Sequence, residues 1–181
     1  MAERSAVNRH STIFQRTRVG FSLLEILVVM AILAVISASI APVYVAAMDG
    51  IRVRNARNDL VATLRYAQEV AVRESREHRV YLDKDANKYR LMRLAGLEDD
   101  EKVFEEARAL ATGEQFLPEN LALDNIKARR DRRTREYFVS CLPNGASDKA
   151  VIRLRDQRFR GVQFTITVEG PLGKITIEES R

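Results

Sequence analysis

Cysteine and histidine are scarce in this 181-residue chain, with one Cys and two His. One thiol forms no intramolecular disulfide, so cysteine usage neither supports nor excludes an extracytoplasmic location. His10 and His78 stand far apart, and no His/Cys spacing of a metal site occurs. A glycine-rich phosphate loop and a G-x-S-x-G pattern are missing as well. Cys141 falls in a strand-like run, where a cysteine acts as a small buried hydrophobe. The reading is a non-enzyme with no catalytic residue, metal or cofactor.

Charge is missing too, but only locally. Residues 21–48 carry a single charge, Glu25, whereas the chain has 30 Lys and Arg and 25 Asp and Glu. A membrane-grade segment is thus joined to a polar domain with enough apolar residues for a core. That excludes a plain cytosolic globule, a polytopic membrane protein and a disordered chain. Residues 1–20 hold Arg4, Arg9, Arg16 and Arg18 against Glu3, so over half of the net +5 lies there. The remainder is nearly balanced, and the pI of 9.6 says little about nucleic acid.

From Ile26 to Met48 no residue is charged. A helix of that length, at about 1.5 Å per residue, spans roughly 35 Å, enough for a bilayer core. The segment is apolar on all sides, as lipid contact requires. Pro42, late in it, should bend the helix rather than end it. An ordinary signal peptide places a small-residue site after its apolar stretch, and none follows here. Arg52, Arg54, Arg57 and Arg65 nearly balance the basic leader, so the orientation rests on the weak effect of a long translocated domain: N-terminus in the cytoplasm.

Glu25 admits two readings. It lies at headgroup depth and has no role, or it awaits a cation that burial makes attractive, such as a free α-amino group at Phe21 of a neighbouring subunit. Gly20-Phe21-Ser22-Leu23-Leu24-Glu25, followed by an uninterrupted apolar run, resembles the prepilin cleavage and methylation motif of type IV pilins and pseudopilins. The resemblance implies that a prepilin peptidase cuts after Gly20 and methylates Phe21. It also implies that Glu25 acts in filament assembly. Pro42 matches a proline usual at that place. In a filament the apolar helix leaves lipid for a bundle of helices, and a neighbour's amine removes the cost of a buried unpaired Glu.

Beyond Gly50, Val53, Ala56, Leu60, Leu64, Ala67 and Ala71 recur at spacings of three and four, so one long helix is expected over roughly 21–76. Arg73, Arg76 and His78 suit its C-terminal dipole. Strands are expected at 79–83 and 88–93 around a Lys84–Asn87 turn, and at 121–126, 136–141, 149–155, 162–168 and 174–178. Residues 98–111 read as an acidic stretch and then a short helix. The fold class is α+β: a long N-terminal helix and an antiparallel β-rich head. The divisions are a leader at 1–20, a transmembrane and assembly helix at 21–49, and a soluble head at 50–181, amphipathic helix to 76 and β-rich from 77.

This order resembles the H-type minor pseudopilins of type II secretion and the related FimT-like minor pilins. The resemblance rests on Leu64–Arg73, on Leu142-Pro143-Asn144-Gly145-Ala146-Ser147 and on the final hairpin with Ile175-Thr176-Ile177. It implies an inner-membrane, single-pass protein with a periplasmic head that assembles into a pseudopilus. The implied partners are prepilin peptidase, other pseudopilins or pilins, the inner-membrane secretion machinery and secreted substrate. The FimT-like alternative adds DNA. Relative to that pattern, 98–111 reads as an insertion.

Lys127, Arg129, Arg130, Arg132, Arg133 and Arg135 stand with only Asp131 as an acid among them. Three readings are open. The run is a solvated loop; it pairs with Glu98, Asp99, Asp100, Glu101, Glu105 and Glu106 within or between subunits; or it holds a nucleic-acid backbone by releasing counterions from phosphates. No aromatic residue interleaves it, which lowers the single-strand case.

Overall fold

The computed structural model describes residues 20–98, 101–107, 113–158, 161–170 and 173–180. Its first element is the helix α1, Leu23–Arg73. The chain divides into two compact units, Met1–Val45 and Ala46–Arg181.

In the first unit the helix begins on a side-chain cap. The Ser22 hydroxyl accepts the Glu25 N–H at 3.1 Å, and the Ser22 carbonyl accepts the Ile26 N–H at 3.2 Å. This is the geometry of a serine N-cap with an acid at the third helical position. The apolar side chains that follow, among them Leu23, Leu27, Met30, Leu33 and Ile36, are all exposed. The helix is long and apolar enough to cross a membrane, and it continues through position 42.

The second unit has a conventional core. Val53, Leu60, Leu64, Ala67 and Ala71 are buried, with Ala56 packed against them, so the expected stripe is the inward face. Val61 and Val70 widen it. The helix stops at Arg73 rather than 76. The Arg76 N–H bonds the Ala71 carbonyl and the Ser75 N–H bonds the Val72 carbonyl, while Ser75 adopts φ 52°. That is a Schellman ending, with serine where glycine is usual.

Among the described residues ten strands follow: β1 (His78–Asp83), β2 (Lys88–Glu98), β3 (Glu101–Glu106), β4 (Gln115–Phe116), β5 (Leu121–Lys127), β6 (Arg129–Arg130), β7 (Tyr137–Cys141), β8 (Ala150–Asp156), β9 (Gln163–Val168) and β10 (Ile175–Ser180). One sheet has the order β3-β2-β1-β7-β6, with β4 also on β2; the other is β10-β9-β8-β5. All the strand pairings are antiparallel. Val80, Leu82, Leu91 and Val139 from the first sheet meet Leu123, Ile152, Leu154 and Ile166 from the second in the same core as the helix. His78 opens β1 instead of closing the helix; its Nε2 still lies 3.5 Å from Glu74.

The helix expected within 98–111 does not form over its described part. Residues 101–106 are strand β3 against β2, with a bulge between Leu94 and Gly96; residues 108–112 lie outside the described residues. The strand has a ready ladder partner, and Phe104 lies beneath the Arg79 guanidinium at 3.9 Å. An isolated helix of that length has little to offset its nucleation cost.

Two turns join the layers. Asn87, at φ 51°, ends the β1–β2 turn. Its amide donates to the Leu121 carbonyl and its oxygen accepts the Leu123 N–H. At the other junction Gln68 donates through Nε2 to Ser147 Oγ at 3.0 Å and to the Gly173 carbonyl at 2.7 Å. Gly173 has φ +61°, and a Cβ there would stand 3.0 Å from the Gly145 carbonyl oxygen.

Candidate processing site and charged sheet edges

Gly20 and Phe21 precede the Ser22 cap in non-helical backbone and are exposed. A Cβ on Gly20 would meet nothing within 4 Å, so no packing within the chain demands glycine here. Glu25 sits in the first turn of α1, where an acid interacts favourably with the helix dipole, by about 0.3–1 kcal/mol. The order is thus an accessible small residue, an exposed aromatic, a helix cap and a carboxylate. Ser22 is the capping position that sequence reasoning passed over; the S-x-x-E spacing of a capping box was its signal.

The basic run divides between a strand and a turn. Arg129 and Arg130 form β6 and pair with Phe138 and Tyr137, so the run is not wholly loop. The Arg129 guanidinium is 3.5 Å from Asp148. Arg130 Nε donates to the Arg135 carbonyl at 2.7 Å. Asp131 is occupied inside the turn: its carboxylate accepts the N–H groups of Arg133 and Thr134 and the Tyr81 hydroxyl. Partial burial pushes this carboxyl up, but those three donors more than reverse it and leave it below the usual range. Lys127, Arg132, Arg133 and Arg135 are exposed. Arg135 adopts φ 62°, a backbone region that costs a non-glycine residue about 1–2 kcal/mol.

Pairing of this run with the acids of 98–106 does not occur inside the described chain, because β3 and β6 are opposite edges of one sheet. The acids near β3 have other partners or none. Glu105 pairs with Arg93. Asp99 and Asp100 lie outside the described residues.

Between the edges, the outward face of this sheet is roofed by cations over rings. The Arg79 guanidinium lies 3.9 Å from the Phe104 centroid and 4.4 Å from that of Phe138. Arg90 covers Tyr81 at 5.5 Å, and Arg129 covers Phe138 at 5.4 Å. Glu77 is buried beneath, hydrogen-bonded by Arg79 and Lys102. Burial pushes its carboxyl up, yet the bonds from Lys102 and Arg79 hold it below the usual range. Tyr81 is raised by burial.

Cys141 is buried, with the Ser147 hydroxyl 3.8 Å from Sγ. Burial pushes its thiol up to about 11, so it is a poor nucleophile. Among the described residues no group of three or more His, Cys, Asp or Glu is arranged to hold a metal ion.

Residues 20–41 match the prokaryotic N-terminal methylation motif. No curated protein sequence matches the chain. Among solved structures, the minor pseudopilin EpsH from the type 2 secretion system of Vibrio cholerae superposes with a TM-score of 0.56 at 15% identity, covering 71% of this chain and 97% of that one. A second EpsH structure gives 0.54 at 14% identity, covering 70% and 95%. The type IV minor pilin FimU of Pseudomonas aeruginosa gives 0.48 at 16% identity, covering 72% and 90%, too low a score for a likeness of fold to be drawn. At such identities the EpsH likeness is one of fold, a long N-terminal helix followed by antiparallel sheets. The chain thus carries the N-terminal methylation motif at residues 20–41 ahead of a fold like that of the minor pseudopilin EpsH.

Proposed function

We propose that the chain is a minor pseudopilin of a type II protein secretion system. In this reading it is made with residues 1–20 as a leader and held in the inner membrane by the first part of α1. Its N-terminus is cytoplasmic and its head periplasmic. Prepilin peptidase cuts between Gly20 and Phe21 and methylates the new amine. The inner-membrane secretion machinery then moves the helix from lipid into a periplasmic pseudopilus. There the head contacts other pseudopilins or secreted substrate, and the role is structural rather than catalytic. The observation that carries this reading is the methylation motif at 20–41 ahead of a fold shared with nearly the whole of EpsH.

Glu25 supplies the assembly step. A carboxylate near the lipid interface is tolerable, but in a helix bundle it needs a cation. The α-amine of a neighbouring Phe21 is a cation of the right kind, and the capped turn holds Glu25 four residues from its own chain's amine. Two variants test this in cells of the source organism. Gly20→Phe should leave the unprocessed mass in a mass spectrum; normal cutting would sink the processing step. Glu25→Leu should be cut and inserted but largely missing from sheared filaments; full incorporation would remove the assembly role.

A second reading, a FimT-like minor pilin that binds DNA during uptake, draws on one observation: Arg132, Arg133 and Arg135 are exposed in the β6–β7 turn, and Lys127 is exposed at the end of β5. It requires a salt-dependent shift of duplex DNA by the full chain that weakens when those residues are neutralised.

A further inference from the structure

The two edges of the β3-β2-β1-β7-β6 sheet carry opposite charge. On one side β3 pairs only with β2 among the described strands, and its exposed carboxylates include Glu98 at the β2 end, Glu101 and Glu106. None of these three has an ion-pair partner among the described residues. On the other side β6 pairs only with β7 among the described strands. It leads into a turn bearing Arg132, Arg133 and Arg135, whose one acid, Asp131, is turned inward to Tyr81. We infer that the β6 hairpin of one copy docks against the β3 edge of a second copy, so that heads associate in a directed, head-to-tail row.

The choice of occupant follows from charge and symmetry. An exposed sheet edge is a template for another strand. A two-fold contact between two β3 edges sets Glu against Glu, and one between two β6 edges sets Arg against Arg; both are disfavoured by like-charge repulsion. Only β3 on β6 is complementary. Such a contact uses different surfaces on the two copies, so it leaves a free β3 and a free β6 after every addition and does not close as a dimer. The backbone is consistent with a held hairpin: Asp131 N–H bonds the Glu136 carbonyl, and Arg135 N–H bonds the Asp131 carbonyl. Arg135 is held at φ 62° in this turn, and its carbonyl accepts from Arg130 Nε. The inference rests on the filament reading for its setting, but its contact lies in the head and not in α1.

The test uses full-length chains with two different tags, made together and solubilised in detergent, in a Glu25→Leu background so that helix pairing does not contribute. Capture of one tag should bring down the other at low salt and fail near 1 M salt, where the screening length is about 3 Å. Arg132→Glu with Arg133→Glu should cut recovery about tenfold or more, and so should Glu101→Arg with Glu106→Arg. All four changes in one chain should restore it. Arg132→Cys on one tag and Glu101→Cys on the other should give an oxidised product, whereas Arg132→Cys on both should not. Recovery indifferent to the reversals, failure of the fourfold variant to rescue while its circular dichroism is unchanged, or an Arg132→Cys homodimer would each overturn the inference. So would loss of a DNA shift on reversal with copy-to-copy recovery intact, since the hairpin would then serve a nucleic acid. Normal filament entry of Glu25→Leu with the charge pattern obeyed would refute the assembly role and leave the edge contact standing.

Discussion

Gln68→Ala and Gly173→Ala, alone and together, probe the junction where the end of α1 meets two loops. Gln68 makes two part-buried hydrogen bonds, to Ser147 Oγ and the Gly173 carbonyl. At about 0.5–1.5 kcal/mol each, their removal should cost roughly 1–3 kcal/mol. Gly173→Ala should cost about 1–2 kcal/mol from its φ of +61° alone. Its new Cβ also presses on the Gly145 carbonyl oxygen at 3.0 Å and on Gln68 Nε2 at 3.1 Å. The first is backbone and yields with difficulty; the second is the end of a side chain. Deleting Gln68 therefore relieves part of the strain of Gly173→Ala. The double variant should lose less than the sum of the singles, by more than the roughly 0.3–0.5 kcal/mol within which independent sites add. Urea unfolding of the full chain in detergent, followed by tyrosine fluorescence, measures all three differences. A neutral Gly173→Ala, or strict additivity, would refute the account of this junction.

Other expectations follow from the same physics. Glu77 has a lowered folded pKa, so its stabilisation is complete above the ordinary glutamate range and is lost as the pH falls through the folded value. Glu77→Gln should be less stable at neutral pH and show a shallower loss in acid, seen in unfolding midpoints between pH 7 and 3; parallel curves would contradict this. Cys141 should resist iodoacetamide at pH 8 in the folded chain and react in urea, because burial raises its thiol to about 11; rapid native labelling would contradict the packing. Asn87→Ala removes two bonds across the layers and should cost about 1–3 kcal/mol in the same urea assay; a cost near zero would show that the turn does not join them.

Much of the architecture was legible because its signals are local. The apolar stripe from Val53 to Ala71 repeats with the helical period, and strands β5, β8 and β9 alternate with the period of two. The methylation motif at 20–41 was legible because it is a linear signal of a few residues. The illegible parts depend on partners distant in sequence. The strand at 101–106 needed β2 as its ladder and Arg79 as the lid over Phe104, neither visible in an acidic window. The helix end at Arg73 was set by Ser75 in a left-handed conformation, with no glycine to mark it. The fate of the basic run turned on which edge of the sheet it joined, a property of strand order and not of composition.

The guanidinium roof over the first sheet has a consequence for anything that touches that face. Phe104, Tyr81 and Phe138 already have a cation of the chain itself against a ring face. A nucleobase or an aromatic ligand would find that surface occupied, and would have to displace an arginine to stack. The roofing guanidiniums are ion-paired in turn, Arg79 with Glu77, Arg90 with Glu114 and Glu136, and Arg129 with Asp148. An anion would therefore have to displace one of the chain's own carboxylates to be held there. The face is thus closed on itself, its rings covered by cations and its cations by carboxylates.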